Sequence, residues 1–163
     1  MHTTRASLRR LCVAAAGLTL SLAAHAAGAA DTTPPKADGL APVRALIQLK
    51  KWGAAVDELK RLNDSASADW NNLMGYSLRK GTPPDHPAAE KFYDTALRLD
   101  PKHRGALEYS GELYLITGDL AKAEQRLATL DKVCTLACEE YTDLKKAIAR
   151  FKANGNKYAA APG

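Results

Sequence analysis

Between His103 and Leu130 the apolar residues fall into two runs separated by Thr117-Gly118-Asp119. The spacing predicts two short helices joined by a tight turn. Small residues, Ala106, Gly111 and Ala123, stand where such helices must touch, and Leu107, Leu113, Tyr114, Leu120, Leu127 and Leu130 fill the next layer. A hairpin with one apolar face cannot bury it alone and needs a copy stacked against it. The chain supplies copies. Ala123 lies 34 residues after Ala89, and Ala89 lies 34 after Ala55. Four residues on come Leu127, Tyr93 and Leu59, and three further come Leu130, Ala96 and Leu62.

A small-x3-large-x2-apolar pattern at this period resembles the tetratricopeptide (TPR) helix-turn-helix repeat. Residues 42–130 look like three such units. The family's helix-A glycine matches Gly75 and Gly111, its helix-A tyrosine matches Tyr114, and its closing proline matches Pro101. The first unit has Val43 in place of the glycine, and Asn71 occupies the usual aromatic position one place after Trp70. The resemblance implies an all-α fold, a right-handed superhelical stack of about three helix hairpins.

The remaining pattern fits that frame. Pro42 suits the first turn of a helix, with Val43, Leu46, Ile47 and Leu49-Lys50 as its stripe and Trp52-Gly53 as the expected turn. Val56, Leu59 and Leu62 point inward on the next helix, and Trp70, Leu73, Met74 and Leu78 on a helix spanning residues 68–80. A helix from Pro87 to Leu99 carries Phe92 and Tyr93 as core, and Asp100-Pro101 ends it. After the third unit, Tyr141, Leu144, Ile148 and Phe151 form one stripe, with Glu139 and Glu140 at the start and Lys145, Lys146, Arg150 and Lys152 towards the end. That polarity matches the helix dipole, and Gly155 is a natural stop. One amphipathic helix here would cap the stack, burying its apolar face on the preceding helix.

The first 26 residues read differently. Met1–Arg10 is basic without an acid, Leu11–Ala24 is apolar, and Ala24-His25-Ala26 is a small-x-small cleavage site. This is the layout of a secretory signal peptide, and the run is short for a membrane span. No stable membrane span is expected after cleavage, and a bacterial periplasmic or secreted location follows. Residues 27–41 are expected as a flexible linker, 42–153 as the repeat domain with its cap, and 154–163 as a disordered tail. Arg5, Arg9 and Arg10 account for three of the 23 basic residues, so the remainder carries 20 against 18 acidic, a net of +2 instead of +5. Neither that charge nor any basic patch interleaved with aromatics points to nucleic acid.

Cys134 and Cys138 are the two cysteines beyond the signal segment. In an oxidising compartment a disulfide is the default. Residues four apart on a continuous helix cannot bring their Cβ atoms close enough, so a bridge requires a helix break between them. Two free thiols and a metal or thiol-redox role stay open. No cofactor and no resident metal are expected. His86 and His103 read as surface residues, and no serine sits in a nucleophile elbow, so an enzyme is not expected.

Binding has more support. The positions that line the concave groove in the TPR family fall on Arg44, Ile47 and Gln48; on Asn72, Tyr76, Arg79 and Lys80; and on Glu108, Glu112, Leu115 and Ile116. That gives a basic side at Arg44, Arg79 and Lys80, an acidic side at Glu108 and Glu112, and Tyr76 between them. Gly105 stands where a clamp for a C-terminal carboxylate needs a basic residue. The resemblance therefore implies a non-catalytic interaction module, a periplasmic scaffold or assembly factor holding a protein or peptide partner in its groove. The alternative is a thiol-redox or metal-handling factor using Cys134 and Cys138.

Overall fold

A computed structural model describes residues 38–136 and 138–159. The expected signal peptide, most of the expected linker and the end of the expected tail lie outside the described residues. Within them the chain is all-helical: α1 (Ala41–Gln48), α2 (Trp52–Leu62), α3 (Ala68–Lys80), α4 (His86–Leu99), α5 (Arg104–Thr117), α6 (Leu120–Val133) and α7 (Glu139–Ala153). None of them is long and apolar enough to cross a membrane.

Local chemistry sets the helix ends. Ser67, Asp85, His103 and Asp119 each accept a hydrogen bond from the backbone N–H three residues on, capping α3, α4, α5 and α6. Gly118 closes α5 with φ +85°, a conformation that costs glycine little, so that Asp119 N–H reaches Tyr114 O at 2.7 Å. The first turn differs from expectation. The chain reverses at Leu49–Lys51, where Lys51 N–H bonds Leu46 O at 2.9 Å, and Trp52-Gly53 opens α2. Leu49 consequently leaves the stripe and is 65% exposed.

The packing is solenoid-like. Each helix touches the next; α1, α3, α5 and α7 also touch in succession and make one layer. Helices α2, α4 and α6 cover that layer, and α4 and α6 are joined at their surface by Lys122–Glu90 at 3.5 Å and Arg126–Asp94 at 3.2 Å. The repeated columns carry the stack: Ala55, Ala89 and Ala123 are fully buried, as are Leu59, Tyr93, Ala96 and Leu130, with Leu62 and Leu127 partly buried. Burying such side chains stabilises by about 1.5–3 kcal/mol each for the large ones.

Three apolar clusters follow one another along the chain. Val43, Leu59, Trp70 and Met74 centre the first, Tyr93 and Leu113 the second, and Leu107, Leu130, Leu144 and Phe151 the third. Two polar anchors tie α3 to α2 and to the loop between them. Trp70 Nε1 donates to Leu59 O at 2.7 Å, and buried Asn71 donates from Nδ2 to Ser65 O and Ser67 O, both at 2.8 Å. Asn71 thus clamps the loop that precedes α3. Helix α7 buries Leu144, Ile148 and Phe151 as its stripe foretold, but it packs more extensively on α5 than on α6. Gly111 explains this. A Cβ there would lie 2.6 Å from Leu144 Cδ2, so the glycine is what lets α7 approach α5.

Candidate functional site

The exposed edge of the α3–α5–α7 layer holds a cavity of about 370 Å³. Helix α3 contributes Tyr76, Arg79 and Lys80, α5 contributes Glu108, Tyr109 and Glu112, and the first turns of α7 contribute Glu139, Glu140 and Asp143. In each set one member stands three and four residues from the other two, which puts them on one helical face.

At its floor sits Arg79. Its side chain is almost wholly buried, and Nη1 donates to Glu112 Oε2 at 2.8 Å. The guanidinium also lies 5.4 Å from the Tyr76 ring and 5.6 Å from the Tyr109 ring, and these two rings are themselves 4.6 Å apart. Trp52 meets Tyr76 edge-on at 5.8 Å. Planar, weakly hydrated guanidinium suits such a stack, where lysine would not. The cation expected on an open basic wall is therefore already spent inside the protein.

The wall above it is acidic. Arg79 and Lys80 face five carboxylates, those of Glu108, Glu112, Glu139, Glu140 and Asp143. Burial, reinforced by the neighbouring charges of Glu112, Asp143 and Glu140, pushes the Glu108 carboxyl up to about 8, against the pull of Arg79. Near neutrality Glu108 thus holds a proton, and a ligand that brings positive charge would draw it off. Burial first, then Glu108, raises the Tyr109 phenol too, so it stays neutral.

Of the groove positions, Tyr76, Arg79, Lys80, Glu108 and Glu112 come together in this cavity. The others do not. Arg44 pairs with Asp38 at 3.3 Å and Gln48 is exposed, both on α1. Ile47 packs partly buried in the first cluster. Asn72 is buried, its Nδ2 held 3.1 Å from where a Cβ on Gly105 would stand, which also explains the glycine at that place. Leu115 is core at 1% exposure, and Ile116 is half-buried. Tyr109, Glu139, Glu140 and Asp143 were not foreseen as site residues. The sequence pattern explains the two glutamates by the helix dipole alone. Their placement at the start of a helix that continues the α3–α5 layer is the signal that places them here.

His103 is also more than a surface residue. Ala106 N–H donates to its Nδ1 at 3.0 Å, so Nε2 carries the proton and donates to Asp69 at 3.0 Å. The ring thus links the start of α5 to the start of α3.

Cys134 and Cys138 lie at disulfide-bonding distance, their Cα atoms 5.8 Å apart, in the break between α6 and α7. Among the described residues no group of three histidine, cysteine, aspartate or glutamate side chains is placed to hold a metal ion. No protein-family model and no curated protein matches the chain.

Proposed function

We propose that this protein is a non-catalytic interaction module, a helical repeat of the TPR type, that holds a segment of a partner protein along the α3–α5–α7 layer. The reading rests chiefly on one observation: Tyr76, Arg79, Lys80, Glu108 and Glu112, separated by up to 36 positions in sequence, line one open cavity. Two aromatic rings fixed by an arginine give it rigid, dry surface, and carboxylates give it orientation. The excess of carboxylates over cations favours a partner segment with lysine or arginine side chains. Export to the periplasm accompanies this reading, since an oxidising compartment would keep Cys134 and Cys138 bonded.

The test is site-specific photocrosslinking in the producing cell. A photoreactive residue in place of Tyr76 should capture one defined protein; the same residue in place of Lys91, exposed on α4, should not. Glu139→Lys with Glu140→Lys should weaken capture at Tyr76. Equal capture at both positions, or none at Tyr76, overturns the reading.

A further inference from the structure

The chain that leaves α7 does not run off into solvent. Asn156 N–H bonds Phe151 O at 2.9 Å and Gly155 N–H bonds Lys152 O at 3.2 Å. With Gly155 at φ +66° and Asn156 at φ +60°, this is a Schellman closure, and it turns the chain back across the helix it has just left. Asn154 Nδ2 donates to Lys157 O at 3.1 Å and fixes the reversal. The next residue is Tyr158. With Ala159 it forms one wall of a hollow of about 110 Å³ whose other walls are Lys80 of α3, Glu112 of α5, and Ala147, Arg150 and Phe151 of α7. Lys80 and Glu112 also line the larger acidic cavity, so the two depressions adjoin. Although Tyr158 belongs to an exposed stretch, it is only 39% exposed itself, and burial followed by the charge of Glu112 raises its phenol.

Lys80, Glu112 and Arg150 surround an apolar base of Ala147 and Phe151, which suits the amphipathic ring of tyrosine: carbon face down, hydroxyl at the rim. An extended backbone with small neighbours, Lys157-Tyr158-Ala159, can bring a ring there without steric conflict. We propose that this hollow is an anchor subsite for an aromatic side chain of an extended peptide, and that the protein's own Asn156–Ala159 segment covers it until a partner displaces it. The inference deepens the peptide-binding reading given above: it names an aromatic anchor beside the acidic cavity and an intramolecular competitor for it. Because only four residues separate Tyr158 from Ala153 at the end of α7, the tail's effective concentration at the hollow is in the millimolar range, and a partner must exceed that advantage.

Amide NMR of the full chain tests this. Tyr158→Ala should move the signals of Lys80, Glu112, Ala147 and Phe151, while Tyr158→Phe should leave them near their wild-type positions. A synthetic peptide Asn-Lys-Tyr-Ala-Ala-Ala-Pro-Gly, the sequence from Asn156 onward, added to the Tyr158→Ala chain should return those signals towards wild type. Its counterpart with alanine for tyrosine should not. Wild-type chain should need at least about tenfold more of the tyrosine peptide for the same occupancy. Unmoved signals in Tyr158→Ala, equal peptide affinity in both chains, or shifts that scale with protein concentration each overturn the proposal, the last by assigning the contact to a second copy. Crosslinking at Tyr76 reads the partner independently, so loss of the anchor with capture intact removes only this inference, and the converse removes only the partner reading.

Discussion

The hairpins α3–α4 and α5–α6 stand one repeat apart and use the same columns to different ends. Gly75 of α3 lies against its own partner helix: a Cβ there would meet the Tyr93 ring of α4 at 2.8 Å. Gly111 of α5 turns instead to the next helix, against Leu144 of α7. Tyr93 is fully buried, whereas Leu127, its equivalent on α6, is only partly so. Helix α3 buries Asn71, Asn72, Ser77 and Arg79; α5 buries only Ser110 among its polar residues. The first hairpin is thus fitted tightly at Gly75 and Tyr93 while α3 turns its buried polar residues to the loop before it and to α5, and the second leaves one side of α5 for α7. A repeat fixes which helices stack, and the residues that break its symmetry decide where a site forms.

The largest effect that would test this contrast is truncation of the two column residues. Tyr93→Ala should cost about 3–5 kcal/mol, since it empties a fully buried aromatic site. Leu127→Ala should cost less than about 2 kcal/mol, because part of that side chain stays in water. Urea midpoints at constant slope measure both. Similar losses would mean that the two hairpins are packed alike.

Next come the glycines. Gly111→Ala should cost about 1–3 kcal/mol by overpacking Leu144, offset in part by the better helix propensity of alanine. The signature is coupling. In a double-mutant cycle, adding Leu144→Ala should relieve the Gly111→Ala strain, while Gly75→Ala with Leu144→Ala should be additive. Additivity at both pairs would place α7 elsewhere.

These contrasts also explain what was legible in the chain. The outer helices carry one apolar stripe each, so Ala55, Ala89 and Ala123 could be aligned and all three proved buried. The turn at Gly118 and the stripe of α7 were equally readable, because each depends on a few neighbours. Helices α3 and α5 in the middle of the layer are packed on more than one side, and there the periodicity fails. Nothing in the local sequence says that Arg79 is buried against Glu112 from 33 positions away, or that Leu115 is core instead of groove. Such residues are sorted by tertiary contacts. Trp52-Gly53 looked like a turn since glycine often makes one, yet backbone bonds at Leu49–Lys51 had already reversed the chain.

A smaller effect concerns how each hairpin hands over to the next helix. Between α4 and α5 the chain is held by local bonds, Lys102 N–H to Asp100 Oδ1 at 2.9 Å and His103 N–H to Asp100 O at 3.0 Å. Between α6 and α7 it passes through Cys134 and Cys138, four positions apart. A bond between them closes a very short loop, so the entropy it removes from the unfolded chain is modest. Cys134→Ser with Cys138→Ser should lower stability by about 2 kcal/mol or less, with faster amide exchange in α7 and capture at Tyr76 retained. Unchanged stability with loss of cellular function would move these residues to the thiol-redox or metal-handling class.

The smallest effect lies in the open side of the second hairpin and is seen as a pH dependence. Glu108 is faced by Glu112 on its own helix, by Tyr76 and Arg79 of α3, and by Glu140 and Asp143 of α7, with burial as the leading cause of its raised value of about 8. In the unfolded chain its carboxyl ionises near 4.5. Between these two values the folded state holds a proton that the unfolded state has released, so stability from this group is complete below 4.5 and declines as the pH rises towards 8. Glutamine keeps the shape and never ionises. Glu108→Gln should therefore match wild type in Tm near pH 4.5, gain on it steadily up to pH 8, and hold a constant lead above that. The gain is small because the carboxyl remains partly open to water and its charge is screened; where the gap opens and closes is the informative reading. A gap of opposite sign would mean that Glu108 is ionised and paired in the folded protein, and the acidic cavity would then be a balanced one, with no preference for a basic partner segment.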